Sequence, residues 1–321
     1  MMHEYILKRL AIMIPVLLCG SLITFGLVFL SPGDIGEMMA DSEASAMGMM
    51  ATPEMVQAIK EHYGLNDPIH IQYLKWLNNA LHGDLGRSFS THKPVLKEFM
   101  DHLGPTLVLN LAGIMIALLI AIPLGVISAV KKNTIVDHLC RVYVMLEISM
   151  PTFWLALMLL WFFSVKYDIF PLYGYGVDWK DQLWHLALPS IAMGTSMTGS
   201  LMRLTRTSML ETLSQGYIIT ARAKGLTEFV IIFKHALRNA LNPVVTMIGL
   251  FFGHILTGSV IIESIFSWPG NGSMFLASIN ARDYPMIMGF TLIFMALFVL
   301  VTLITDLSYS LIDPRIQYEK S

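Results

Sequence analysis

Long apolar runs constrain this 321-residue chain more than any other feature. A run of about 20 apolar residues wound as a helix crosses the ~30 Å hydrocarbon core of a bilayer, and its backbone groups satisfy one another without water. Six such runs are legible, over about residues 9–30, 104–130, 136–165, 186–204, 243–265 and 286–312. Hydrophobic residues make up 55% of the chain and charged ones 14%, against roughly 25% charged in a soluble domain. The expected fold is therefore an all-α membrane protein with six transmembrane helices. The first run follows Lys8 and Arg9, is too long for the apolar part of a cleaved secretion signal and has no small-x-small site after it, so it is expected to remain as an anchor.

An even number of spans puts both ends on one side, and Lys and Arg mark the cytoplasmic side. Segments 1–9, 131–141, 203–238 and 313–321 carry thirteen of the 21 basic residues in about 65 positions, while the alternate segments carry eight in about 113. Both termini are expected in the cytoplasm. The chain then divides into an N-terminal helix (1–30), an external segment (31–103), a five-helix core (104–312) with a cytoplasmic loop at 203–242, and a tail (313–321). In the external segment Ile71, Leu74, Leu77 and Leu81 recur at helical spacing beside Tyr73 and Trp76, which predicts a short interfacial helix within 68–81.

Pro15, Pro123, Pro151, Pro189 and Pro243 lie in or beside the spans and predict kinks, while Gly113, Gly125, Gly194 and Gly199 suit close helix contact. Ionisable groups inside a bilayer are expensive and usually face the bundle interior. Glu147, His254 and Asp306, with Glu263 near an external mouth, are the candidates to line a pathway, against the plainer reading that each is satisfied by neighbouring helices. A net charge of −2 without a basic run gives no reason to expect nucleic acid. Cys19 and Cys140 read as small apolar residues. His62, His82, His92 and His102 show no i, i+4 pair, and the 23 methionines are spread through apolar spans, so the residues themselves predict no metal site.

The loop from about Arg203 to Asn242 is long, helix-prone and rich in Ala and basic residues, with glycines at 216 and 225. It predicts two helices meeting at Gly225, with the turn Leu226 to Phe229 projecting where a partner's groove could take it. The alternative is that its Arg and Lys only hold the loop in the cytoplasm. No G-x-x-x-x-G-K-[ST] phosphate loop, HExxH or G-x-S-x-G string occurs, which points away from an intramembrane hydrolase and toward an energy source on another chain.

Within this loop YIITARAKGL (Tyr217–Leu226) and HALRNALNP (His235–Pro243) resemble the signature of the dipeptide, oligopeptide and nickel branch of ABC-importer permeases. Further strings follow in the family's order: YILKRL, SPGD at Ser31, GLNDPIHIQYLKWL at Gly64, HGDLGRSF at His82, MPTFWLALML at Met150, ESIFSWPGNG at Glu263, ARDYP at Ala281 and IDPR at Ile312. Departures are Gly216 in place of an acidic residue, Ile35 in place of a proline, Asn271 in place of a leucine, and Arg238 where the general importer signature has a proline.

The resemblance implies a type I importer permease in a bacterial inner membrane. It would be non-catalytic, moving a peptide-class substrate by alternating access, with nickel or a nickel chelate as the alternative cargo. Implied partners are a related second permease in a heterodimer, two ATP-binding subunits, an external substrate-binding protein and the surrounding lipid. ATP and Mg would sit on the partner subunits, with no cofactor on this chain. Coupling to the ATPase would run through Tyr217, Thr220, His235, Arg238, Asn239 and the stretch Ala221, Arg222, Ala223, Lys224, Gly225, Leu226, Thr227, Glu228 and Phe229. In that picture Gly225 gives the tight turn, Ala221 and Ala223 close approach, and Arg222 and Lys224 polar contacts. An ATP-independent carrier or channel, or an intramembrane enzyme, are the readings from other classes.

Overall fold

The structure, a computed structural model, describes residues 2–30, 33–255 and 260–312; the side chains of 2–11, 46, 252–255 and 305–312 are outside that description. The tail 313–321, most of the IDPR string and the side chains of His254 and Asp306 therefore lie outside the described residues. Among the described residues the regular structure is helical, and one isolated antiparallel bridge joins Arg87 to Pro94. The helices are α1 (Met2–Leu30), α2 (Ile35–Ala46), α3 (Pro53–His62), α4 (Ile69–Leu81), α5 (Val95–Val130), α6 (Ile135–Ser149), α7 (Thr152–Leu160), α8 (Trp179–Leu213), α9 (Gly216–Ala223), α10 (Glu228–Val230), α11 (Leu237–Ala240), α12 (Asn242–Ile255), α13 (Val260–Ile265), α14 (Asn271–Asn280) and α15 (Tyr284–Ile312).

The described residues of the six apolar runs fall on helices, apart from a break at Met150–Pro151. Ile12–Leu30, Val95–Val130 and Tyr284–Ile304 are long and apolar enough to cross a membrane as single helices. The run 136–165, expected as one continuous span, is instead two helices bent by 97° at Met150–Pro151. The cause is local: proline's ring disfavours helical geometry in the preceding residue, and Met150 takes φ −90°, ψ 124°. The run 186–204 lies inside the 35-residue α8, which carries Ser and Thr along its length and buries many of its side chains within the protein. Residues 243–265 form α12 and α13 on either side of the undescribed 256–259.

The chain forms two compact units. The first comprises residues 1–104 and 274–300 and has a core of Leu85, Val95, Phe99, Met286 and Phe290. Here the segment between α1 and α5 holds more helix than expected, because α2 and α3 each carry a strong N-cap. Asp34 accepts from the Gly36 and Glu37 amides at 2.8 and 3.3 Å and pairs with Lys60, which holds its carboxyl below the usual range; Thr52 accepts from Met55 N at 3.3 Å. The helix α4 is where 68–81 predicts one, and its aromatic side chains are the ones that pack against α1. Leu74 and Leu81 are exposed, while the Tyr73 and Trp76 rings lie 5.4 and 5.9 Å from Phe25 of α1 and the Tyr73 hydroxyl meets Ser21 Oγ at 2.9 Å.

The second unit comprises residues 105–273 and 301–321. The small residues of α5 and α8 allow the backbones to touch: a Cβ on Gly194 would come within 2.6 Å of Gly113 O, and one on Gly125 within 2.9 Å of Met202 O. One core layer, centred on Leu109, Ala192, Met193 and Trp268, joins α5, α7, α8 and α13. A second, centred on Ala117, Val144, Leu201 and Val244, joins α5, α6, α8 and α12.

Candidate functional site

A third core layer of this unit seats the loop that follows α8. Ile218 and Ala221 of α9 are buried with Val126 and Ala129 of α5, Met209 of α8, and Ile231, Ala236 and Ala240. Beyond that seat the chain turns sharply. Lys224 caps α9, Gly225 takes φ +78°, a left-handed value that costs glycine little, and Thr227 returns to extended geometry before α10. Residues 222–229 are all exposed. Arg222 clasps Glu228 across the turn, Nε to Oε1 at 2.8 Å and Nη2 to Oε2 at 3.3 Å. That pairing holds the Glu228 carboxyl below its ordinary value and raises Arg222, although both are exposed and solvent-screened.

The sequence-predicted residues thus divide. Gly225 makes the expected turn. Ala221 packs inward on this chain's own core, whereas Ala223, Lys224, Leu226, Thr227 and Phe229 face outward. Arg222 is already engaged by Glu228. Tyr217 OH accepts from Asn239 Nδ2 at 2.8 Å and Thr220 Oγ1 bonds back to Gly216 O at 3.0 Å, so these brace the loop. His235 is half-buried on a π-helical stretch, Ile231–Ala236, and Arg238 is exposed. Ile219, Leu226, Phe229 and Phe233 give the outward surface an apolar character, with the two phenyl rings 4.7 Å apart. At Gly216, where the resembling family carries an acid, a side chain would meet nothing within 4 Å.

Beside this seat is a buried ion pair that the reading of the sequence missed. Asp137 at the start of α6 is fully buried and takes Arg206 of α8 in a two-pronged pair, Nε to Oδ1 at 2.8 Å and Nη2 to Oδ2 at 2.9 Å. Ser128 Oγ of α5 and the Asn133 amide donate to the same carboxylate at 2.6 and 2.9 Å. Three elements are tied at one carboxylate. The available signal was an acid and an arginine at the ends of apolar runs.

The pathway candidates occupy different clusters. Glu147 is buried between α6 and α8, its carboxylate against the Cα of Gly199, where any Cβ would run into Oε2. Glu263 is fully buried and organises the loop after α13: it accepts from Thr106 Oγ1 at 3.1 Å and Ser273 N at 2.9 Å, and Gly270 and Gly272 close over it.

Residues 121–318 match the family described as binding-protein-dependent transport system inner membrane component, and residues 2–110 match the N-terminal region described for such membrane components. The chain is 38% identical to the dipeptide transport system permease protein DppB of Alkalihalophilus pseudofirmus, over 99% of this chain and 100% of that protein. It is 40% identical to the oligopeptide transport system permease protein AppB of Bacillus subtilis and 37% identical to the glutathione transport system permease protein GsiC of Salmonella paratyphi A, each over 99% of this chain and all of the relative. Among solved structures it is similar in fold to a chain of an amino acid ABC transporter crystallised with histidines, with a TM-score of 0.50 and 16% identity, over 69% of this chain and 95% of the other. With apolar helices among the described residues, a family match over 121–318 and relatives matched over 99% of the chain, the chain belongs to the family of binding-protein-dependent transport system inner membrane components.

Proposed function

We propose that this chain is a permease subunit of an ATP-driven importer of short peptides in a bacterial inner membrane, and that the loop around Gly225 is where an ATPase subunit grips it. The cargo class rests on the relatives, whose names specify dipeptide, oligopeptide and glutathione transport. Coupling rests on one observation: the exposed, partly apolar run 222–229 stands on a buried seat formed by Ile218 and Ala221. A load applied to the run passes through packed side chains to the ends of α5 and α8. That is the requirement for a lever that converts nucleotide-driven closure of partner subunits into alternating access. Two ATPase subunits would hold ATP and Mg, a second related permease would complete the pathway, and an external binding protein would deliver cargo, with both termini of this chain in the cytoplasm. Nickel as cargo has no observation in its favour, since among the described residues no three His, Cys, Asp or Glu side chains gather to hold a metal.

The test is conformational. A Cβ at Gly225 would meet nothing within 4 Å, so a substitution there is strained only by its φ of +78°. Gly225→Val forces a β-branched residue into that region at a cost of about 1–3 kcal/mol, whereas Asn tolerates it. In vesicles reconstituted with the partner subunits, Gly225→Val should insert normally yet lose at least ten-fold in uptake per ATP hydrolysed, and Gly225→Asn should retain most of it. Normal coupled uptake by the valine variant would overturn the assignment.

A further inference from the structure

The first compact unit holds a cavity of about 540 Å³ that the coupling reading does not use. Its walls are largely aromatic and aliphatic, with Phe25 and Phe29 from α1, Trp76 from α4, Leu85, Phe89 and Tyr284 among them. Charges of both signs line it as well, and their pairing decides what they can do. Lys75 is bound to Asp67 at 2.6 Å, and Asp84 accepts from the Gly86 amide at 2.9 Å. Glu43 has no ion-pair partner among the described residues, and Arg87 makes only a long 3.4 Å bond to His92 O.

We propose that this cavity is a binding site for a short peptide, resting on the reading of the cargo given above. The volume lies within the range of small-molecule sites, which are mostly apolar with a few placed polar groups. A free peptide is a zwitterion with apolar side chains and backbone carbonyls. Its ammonium matches Glu43 and its carboxylate matches Arg87. An anionic phospholipid would put its phosphate on Arg87 and leave Glu43 facing an anion; a zwitterionic phospholipid could meet both charges, and displacement by peptide in the experiment below separates the two. The zwitterion uses both unspent charges.

The experiment uses the whole importer in lipid nanodiscs with the external binding protein left out, and radiolabelled Ala-Phe-Ala as probe beside its N-acetyl and C-amide forms. The free tripeptide should bind, and each blocked form should bind at least ten-fold more weakly. Glu43→Gln should abolish the discrimination against the N-acetyl form alone, and Arg87→Gln that against the amide alone, each leaving a folded complex by its elution profile. Uptake of the same tripeptide by the complete system is measured in parallel. Uptake without direct binding, binding that ignores the blocked ends, binding indifferent to both substitutions, or a lipid in the cavity that peptide does not displace would each overturn the site while leaving the importer reading intact. Loss of both uptake and binding in the wild-type system would overturn the importer reading and the site with it.

Discussion

At Asp137 a carboxylate with no exposure to solvent is hydrogen-bonded by the Arg206 guanidinium, one hydroxyl and one backbone amide, with the Arg141 guanidinium farther off at 3.8 Å. A buried pair of this kind adds little net stability over an apolar replacement, but removing one partner strands the other charge. Asp137→Ala should therefore lower the stability of the detergent-solubilised chain by about 3 kcal/mol, and Arg206→Met by a similar amount. The double variant should lose far less than the two together, which a thermal-unfolding double-mutant cycle would read as a positive coupling. Additive losses would mean that the two side chains act independently. Each residue stands out in the sequence as a charge at the end of an apolar run, but their pairing is not legible, because they lie 69 positions apart. Gly225 is the opposite case. Its place between two helix-prone stretches predicts a turn, and the φ of +78° is what such a turn requires.

Among the elements, the apolar runs were readable because a bilayer demands uninterrupted apolar length, and each of the six runs is helical where described. What hydropathy cannot convey is continuity: the break between α6 and α7 comes from Pro151 acting on Met150, within a stretch whose apolar character never changes. The helix α4 shows a second limit. Its apolar period predicts the helix but not its partner within the protein, and the face it packs inward is set by what α1 offers, which is Phe25 and Ser21. Aromatic rings that can stack and also bond take that place. Trp76→Ala should thus loosen the α1–α4 contact and cost about 2–3 kcal/mol, while Leu74→Ser, at a position 60% exposed, should stay within about 0.5 kcal/mol. Thermal midpoints of the two purified variants check this, and equal losses would mean that the aromatic face is not what fastens α4 to α1.

For the whole molecule the question is how a chain with no nucleotide-binding string of its own can be driven. The surface around Gly225 exposes Leu226, Phe229 and Phe233 at 42, 69 and 51%, outside the apolar runs that a bilayer would cover. Exposed aromatics of this kind contribute little to the chain's own fold, and they are the residues that dominate binding energy once a partner buries them. Ile218, fully buried one turn away, serves the fold instead. Phe229→Ala should accordingly leave the thermal midpoint of the isolated chain unchanged and weaken its association with the proposed ATPase subunit at least ten-fold, whereas Ile218→Ala should lower the midpoint itself. Co-purification and titration of the ATPase against the two variants separate the roles. If Phe229→Ala binds and drives uptake as the unaltered chain does, the drive must enter through another face, and the exposed turn is only a connector between α8 and α12.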